Sequence, residues 1–361
     1  MKTKFTKVLI IPYFGGLPAY LELWMKSCSY NVDYTFLFYT DVDTSQISHP
    51  KNIIFKHIQL HEIWDRLSAK LKVRVFDSAP YKLCDLRPAY GEIFGDDIKE
   101  YDFWGYCDTD LIFGTISDFI TDDILERYQK IFNLGHFTLY RNIYEINTLY
   151  RNNLSRLLRI INSHETMHFD EGPYPGLIPM YESKKIYASL VYDKVYNINH
   201  IFWDKGIDIY TDFDAIADIH AFHDNLQLSY ASSYTYKDIN RKHSVFQWKA
   251  GKLQRFFLVN GEIRNKEYMY IHLQKRQMKD NTKNSSDGFF ITNHSFEDLK
   301  QIDVPLLKTS NKNNITVKKY FYIKRLEWQV TLRQKLSKLK LKTGLDIMKI
   351  INNKGITLYN E

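Results

Sequence analysis

Cysteine is scarce in this chain: three residues in 361. Cys28, Cys84 and Cys107 stand far apart and form no CxxC pair. That excludes a disulfide framework and a cysteine-built zinc site, and it fits a reducing compartment. Long apolar runs are missing too. Nothing approaches the roughly 18 consecutive apolar residues of a membrane span, so no transmembrane helix is expected. The opening stretch MKTKFTKVLIIPYFGG has early lysines, but its apolar run is short and ends at Pro12 without a small-residue cleavage site. It reads as a first β-strand rather than a secretory leader. There is no internal repeat and no RNA-binding motif, so nucleic acid is a poor partner for the basic charge.

Aromatic residues are plentiful. Tyr (27) and Phe (23) supply most of a 16% aromatic content. Such rings fill cores, and amphipathic ones also suit carbohydrate- or lipid-facing surfaces. The formal net charge is +7 and is unevenly placed. Residues 318–350 hold ten Lys/Arg against Glu327 and Asp346, so the body before them is near neutral. Leu, Ile, Phe and Trp recur there at helical intervals with lysines between them. A basic amphipathic helix of this kind lies well on an anionic membrane surface. A helix packed on its own body or on a partner subunit is the other reading.

Hydrophobic patterning divides the chain. KVLIIPYFGG reads as a strand closed by a Pro/Gly loop, and LPAYLELWMKSCSYN has helical spacing. VDYTFLFYTD and NIIFKHIQL read as strands, and HEIWDRLSAKLKV as a helix. YKLCDLRPAYGEIFGDDI reads as a helix interrupted by Pro88 and followed by a loop; YDFWGYCDTDLIFG reads as one more strand carrying an acidic turn. Strands alternating with helices predict a mostly parallel sheet with crossover helices, an α/β class in which ligands sit beyond the carboxyl ends of the strands. Later helical patterns (DDILERYQKIF, INTLYRNNLSRLLRIIN) mix with aromatic strands (SVFQWKAGKLQRFFLV, YMYIHL). The expected organisation is a catalytic domain over 1–304, a polar linker over 305–317 and a basic helical tail over 318–361.

Asp108 and Asp110 stand one residue apart at the end of an apolar run. In an extended chain, residues i and i+2 point the same way. The pair can therefore present two carboxylates to one hard cation, Mn²⁺ or Mg²⁺, shared with a diphosphate. A solvated acidic turn is the plainer alternative, and the apolar residues on both sides argue against it.

Four stretches in this order, IIPYFGGLPAYLELWMKSC, YKLCDLRPAYGEIF, YDFWGYCDTDLIFG and YIHLQKRQM, together resemble a bacterial GT-A type glycosyltransferase. The resemblance is to enzymes of capsular and O-antigen polysaccharide clusters. It implies a GT-A-like, Rossmann-like sheet with flanking helices and a metal-dependent hexosyltransferase using a nucleotide sugar, usually a UDP-sugar. It implies that the loop of Pro12, Tyr13, Phe14 and Gly15 covers the nucleotide. Asp41 or Asp43 would accept hydrogen bonds from base or ribose, and Lys82, Asp85 and Arg87 would meet diphosphate and sugar. His272 would complete a metal site with Asp108 and Asp110, and Lys275 would face the leaving diphosphate. Asp170 and Glu171, beside a Gly/Pro loop, are the candidates for a base that takes the acceptor proton. His136, Arg141 and Asn142 in GHFTLYRN are further candidates for the sugar pocket. The acceptor would be a saccharide, lipid-linked at the inner face of the cell membrane, which places the chain in the cytoplasm as a peripheral protein.

Two rival readings fit parts of the pattern. DTDLIFGT echoes a haloacid-dehalogenase-like phosphatase, with Asp108 as nucleophile and Asp110 as acid. That motif normally ends the first strand and has glycine where this chain has Leu111. The other rival is a non-catalytic membrane-peripheral binding protein.

Overall fold

The run KVLIIP is apolar at successive positions because its strand is buried on both faces. In the computed structural model, which describes residues 4–75, 79–163, 169–171, 197–218, 244–273, 278–292 and 294–310, Leu9 and Ile11 enter one core and Val8 and Ile10 the other. The next strand splits likewise, Phe36 and Phe38 to one side, Leu37 and Tyr39 to the other. A strand covered on both sides reads as a continuous apolar run rather than an alternation.

The described strands run, in chain order, β1 (Lys7–Pro12), β2 (Tyr34–Thr40), β3 (Ile53–His57), β4 (Phe103–Cys107), β5 (Leu111–Phe113), β6 (Lys130–Ile131), β7 (Phe137–Arg141) and β8 (Ile209–Tyr210). They continue with β9 (Ile216–Asp218), β10 (Ser244–Lys249), β11 (Lys252–Val259), β12 (Glu262–Tyr268), β13 (Tyr270–His272), β14 (Lys279–Asp280), β15 (Gly288–Ile291) and β16 (Ser295–Asp298). A central sheet has the order β3-β2-β1-β4-β7-β6-β8. Its first four strands are parallel, and β7 and β6 then join antiparallel. The chain is thus a mixed α/β protein whose longest parallel run is β3-β2-β1-β4, with single parallel pairs at β6–β8, β13–β9 and β14–β16. The small sheet β5-β13-β9 has one antiparallel and one parallel pair, and the six-stranded sheet β12-β11-β10-β15-β16-β14 is antiparallel except for β14–β16.

Helices α1 (Leu21–Ser29) and α2 (Leu60–Leu71) cover opposite faces of the central sheet. Trp24 and Cys28 of α1 join the first core, together with Trp248, Phe289 and Tyr270 from the two smaller sheets. Trp64 and Leu67 of α2 join the second, with Trp104, Tyr106 and Tyr140. Most of the abundant aromatic residues named here are core residues. Among the described residues no helix is long and apolar enough to cross a membrane.

The structure departs from several sequence expectations. YDFWGYCDTDLIFG is two strands, β4 and β5, which belong to different sheets. The segment around Pro88 is a 3₁₀ helix (Pro80–Ala89) that accommodates the proline, followed by short helices Tyr90–Ile93 and Gly95–Ile98 rather than a loop. The helical reading of DDILERYQKIF holds only for Asp122–Arg127, because Lys130–Ile131 pairs into the sheet. The expected linker begins as a helix, Val304–Thr309, whose Leu307 is buried against Val245, Leu258 and Phe290. Asp303 caps it, accepting from the Leu306 amide at 2.7 Å. The rest of that linker and the basic tail lie outside the described residues.

Gly105 lets β7 approach β4 closely. A Cβ there would stand 2.1 Å from the Thr138 carbonyl oxygen. Gly105→Ala should therefore destabilise the protein by about 1–3 kcal/mol through overpacking. The urea midpoint should fall with the m-value unchanged.

Candidate metal centre

The ends of β4 and β5 place the acidic pair. One residue beyond β4, the Asp108 amide donates to the His136 carbonyl at 2.9 Å, extending the β4–β7 ladder. Just before β5, the Asp110 carbonyl accepts from the Leu273 amide at 2.8 Å, extending the β5–β13 ladder. Residues 108–110 are thus a turn between two sheets, not the extended segment expected from the sequence. The carboxylates still converge, because each end of the turn is pinned.

β13 brings His272 to the same place. Asp108, Asp110 and His272 each offer a ligand atom, all within 4.8 Å of one another. His272 Nε2 and Asp110 Oδ1 are 3.5 Å apart. Neighbouring donors around one small divalent ion, with bonds of about 2.1 Å, stand at a similar separation. Two carboxylates and an imidazole suit Mn²⁺ or Mg²⁺ better than a thiophilic ion. The donor set therefore fits the expected cofactor.

Arg87 of the 3₁₀ helix reaches into this centre. Its guanidinium donates to Asp108, to the Gly135 carbonyl and, at 2.8 Å, to Asp170. Burial works against the cation, but Asp108 and Asp170 outweigh it and hold its pKa above the ordinary value. Arg87 thus meets Asp108, one of the three candidate metal ligands, directly. Lys82 and Asp85, expected against diphosphate and sugar, are placed differently. They are 2% and 1% exposed, and the lysine donates to Asp85 at 2.7 Å and to the Ile160 carbonyl at 2.7 Å. Asp85 also accepts from the Phe169 amide at 2.9 Å. The pair fixes the segment that carries Asp170 and Glu171.

Asp170 is 1% exposed, while Glu171 is half-buried. Glu171 lies against Gly135, where a Cβ would meet its Oε2 at 2.4 Å, and its carbonyl accepts from Asn197 at 2.7 Å. Burial pushes the Asp170 carboxyl up to about 7, with Arg87 pulling it down and Glu171 adding to the rise.

The nucleotide-loop candidates sit beside this centre. The Tyr13 amide donates to the Tyr39 carbonyl at 2.8 Å, carrying the β1–β2 ladder one step past Pro12. Gly15 adopts φ +91°, a conformation that glycine takes at little cost, and its amide donates to Asp41 at 3.2 Å. Asp43 is instead engaged in its own turn, accepting from the Ser45 amide at 2.9 Å. Burial raises the Tyr13 pKa and the charge of Asp110 raises it further, so the loop lies within reach of that carboxylate.

GHFTLYRN is divided by its strand. His136 lies at the centre and its ring stacks on that of His272, 4.1 Å between centroids. Arg141 and Asn142 lie roughly 17 Å away at the other end of β7, five residues along. There Arg141 donates to the Leu125 carbonyl, and Asn142 donates to the Ile98 carbonyl at 2.9 Å. They are not pocket residues. Lys275 lies outside the described residues. Gly135 and Tyr270 were not singled out from the sequence, and Tyr20 was not either, although burial and then the charges of Asp110 and Asp108 raise its pKa. No sequence signal marks them, since each reads as an ordinary strand or loop residue.

The raised Asp170 carboxyl gives a pH signature. A folded pKa near 7 against about 3.8 unfolded means that this group's contribution is full below the lower value and is lost as pH rises through the upper one. Asp170→Asn removes the titration. The parent's urea midpoint should therefore fall relative to that variant between about pH 4 and pH 7.

No curated protein matches the chain. Residues 9–300, most of its length, match DUF6625, a family of unknown function, and the chain belongs to that family.

Proposed function

We propose that the protein is a metal-dependent glycosyltransferase with a GT-A-like fold, moving a hexose from a UDP-sugar to a hydroxyl of a surface polysaccharide. The observation that carries this reading is the convergence of Asp108, Asp110 and His272 beyond the carboxyl end of β4, next to the β1 loop tied to Asp41. A crevice at that end of a parallel sheet is where α/β proteins take nucleotides. An acidic nucleophile at the end of the first strand, as the phosphatase reading requires, is not what β4 offers.

Asp108, Asp110 and His272 would hold Mn²⁺ or Mg²⁺, whose chemistry there is to neutralise charge gathering on the leaving diphosphate. Residues 13–16 would lie over base and ribose, with glycine allowing close backbone approach. In the transfer, the acceptor oxygen bonds to the anomeric carbon as the bond to the diphosphate oxygen breaks. The diphosphate leaves with the electron pair. With inversion, the hydroxyl proton passes to a carboxylate, and Glu171 has surface to meet an acceptor while Asp170 is closed off and held by Arg87. With retention, the departing diphosphate oxygen takes the hydroxyl proton, and the same residues would only orient sugars. Residues 318–350 would hold the full chain weakly on an anionic membrane, at roughly 1 kcal/mol per cation at the surface, close to a lipid-linked acceptor.

Thermal unfolding against a nucleotide panel tests the donor class. UDP with Mn²⁺ should raise the midpoint, by about 2.7 kcal/mol of stabilisation at a hundredfold the dissociation constant, and UDP with chelator should not. Asp110→Asn should keep the unliganded midpoint and lose the rise. A folded parent that responds to no nucleotide would overturn the reading. The full chain should also sediment with anionic vesicles at low salt and remain in solution with neutral ones.

A further inference from the structure

His136 touches both strands that bring the metal ligands together. Its carbonyl accepts from the Asp108 amide at 2.9 Å. Its ring lies on the His272 imidazole, with centroids 4.1 Å apart and planes 22° from parallel. Its Nε2 is hydrogen-bonded to the Tyr270 hydroxyl at 2.9 Å. Tyr270 and His272 are two residues apart on β13 and so share one face of that strand. All three rings are buried.

We propose that His136 is the positioning residue of the metal centre, setting the rotation of the His272 imidazole. The proposal rests on the metal reading above. The ring torsion of a histidine is broad, with no sharp intrinsic minimum. A flat wall on one side restricts it, because a ring turned across the stack would strike its neighbour. His136 supplies that wall, and the Tyr270 hydroxyl pins the wall. The result is that His272 Nε2 faces Asp110, at 3.5 Å from its Oδ1. Groups that orient a ligating histidine usually act through its second nitrogen and contribute about 10–100-fold in metal affinity. Here a stacked ring takes part in that task. The main chain of the same residue holds Asp108, so the distance between the two ligands also depends on this position.

The test is titration with Mn²⁺ alone, followed by the loss of the free-ion paramagnetic resonance signal. His136→Leu removes the flat ring and should weaken binding about tenfold or more. His136→Phe keeps a flat ring but loses the nitrogen that meets Tyr270, so it should weaken binding only as much as Tyr270→Phe does, well short of the leucine variant. Tyr270→Phe removes only the pin and should weaken binding in the same direction by less, which keeps the test open if the leucine variant fails to fold. Near-ultraviolet circular dichroism and urea midpoints report the fold of each. Equal, strong loss in the phenylalanine and leucine variants would mean that His136 donates a nitrogen to the ion, and the positioning role falls. Parent-like binding in all variants would also overturn it while leaving the metal centre standing. A folded parent that binds no Mn²⁺ would overturn the metal reading and this inference together.

Discussion

The site depends on a three-residue turn pinned at both ends to different sheets. Asp108 is bonded to the residue before β7 and Asp110 to the residue after β13. If either ladder shifted by one residue, one carboxylate would turn away from the other, since neighbouring side chains on a strand face opposite sides. The convergence of Asp108, Asp110 and His272 is therefore a consequence of sheet register. Gly105, where an added Cβ would strike the Thr138 carbonyl of β7, belongs to the same constraint.

Charge balance follows from that geometry. Asp108 and Asp170 share one part-buried guanidinium, Arg87, while Asp110 stands beside Asp108 and Glu171 acts on Asp170. Like charges brought out of water repel strongly, and a paired cation offsets part of the cost. Arg87 offsets it for Asp108 and Asp170, and its pKa rises as a result. Burial and the remaining carboxylates still push Asp170 up to about 7. A divalent ion beside Asp108 and Asp110 would act on the same balance.

The 3₁₀ helix over Pro80–Ala89 distributes these roles by its period. Three residues per turn put Lys82 and Asp85 on one face. They are sealed inside as an ion pair that fixes the Ile160 carbonyl and the Phe169 amide. Arg87 faces differently and meets Asp108 and Asp170. In the sequence these three residues looked alike, all candidates for the diphosphate or sugar. Only burial separates a clamp from a group in the site.

The sequence by itself determined the strands and helices of the first seventy or so residues, because covered strands and amphipathic helices have distinct apolar periods. It also marked Asp108, Asp110 and His272, because carboxylates and an imidazole beside apolar strands are costly without a partner. It did not show that YDFWGYCDTDLIFG changes sheets at its acidic turn, since both halves are equally apolar. Nor did it show that His136 and Arg141, five residues apart, lie at opposite ends of one strand with different tasks. Those outcomes are set by pairing between segments distant in sequence, such as His272 with Leu111 and Phe137 with Cys107. Local composition does not encode that register; the packing of the whole chain does.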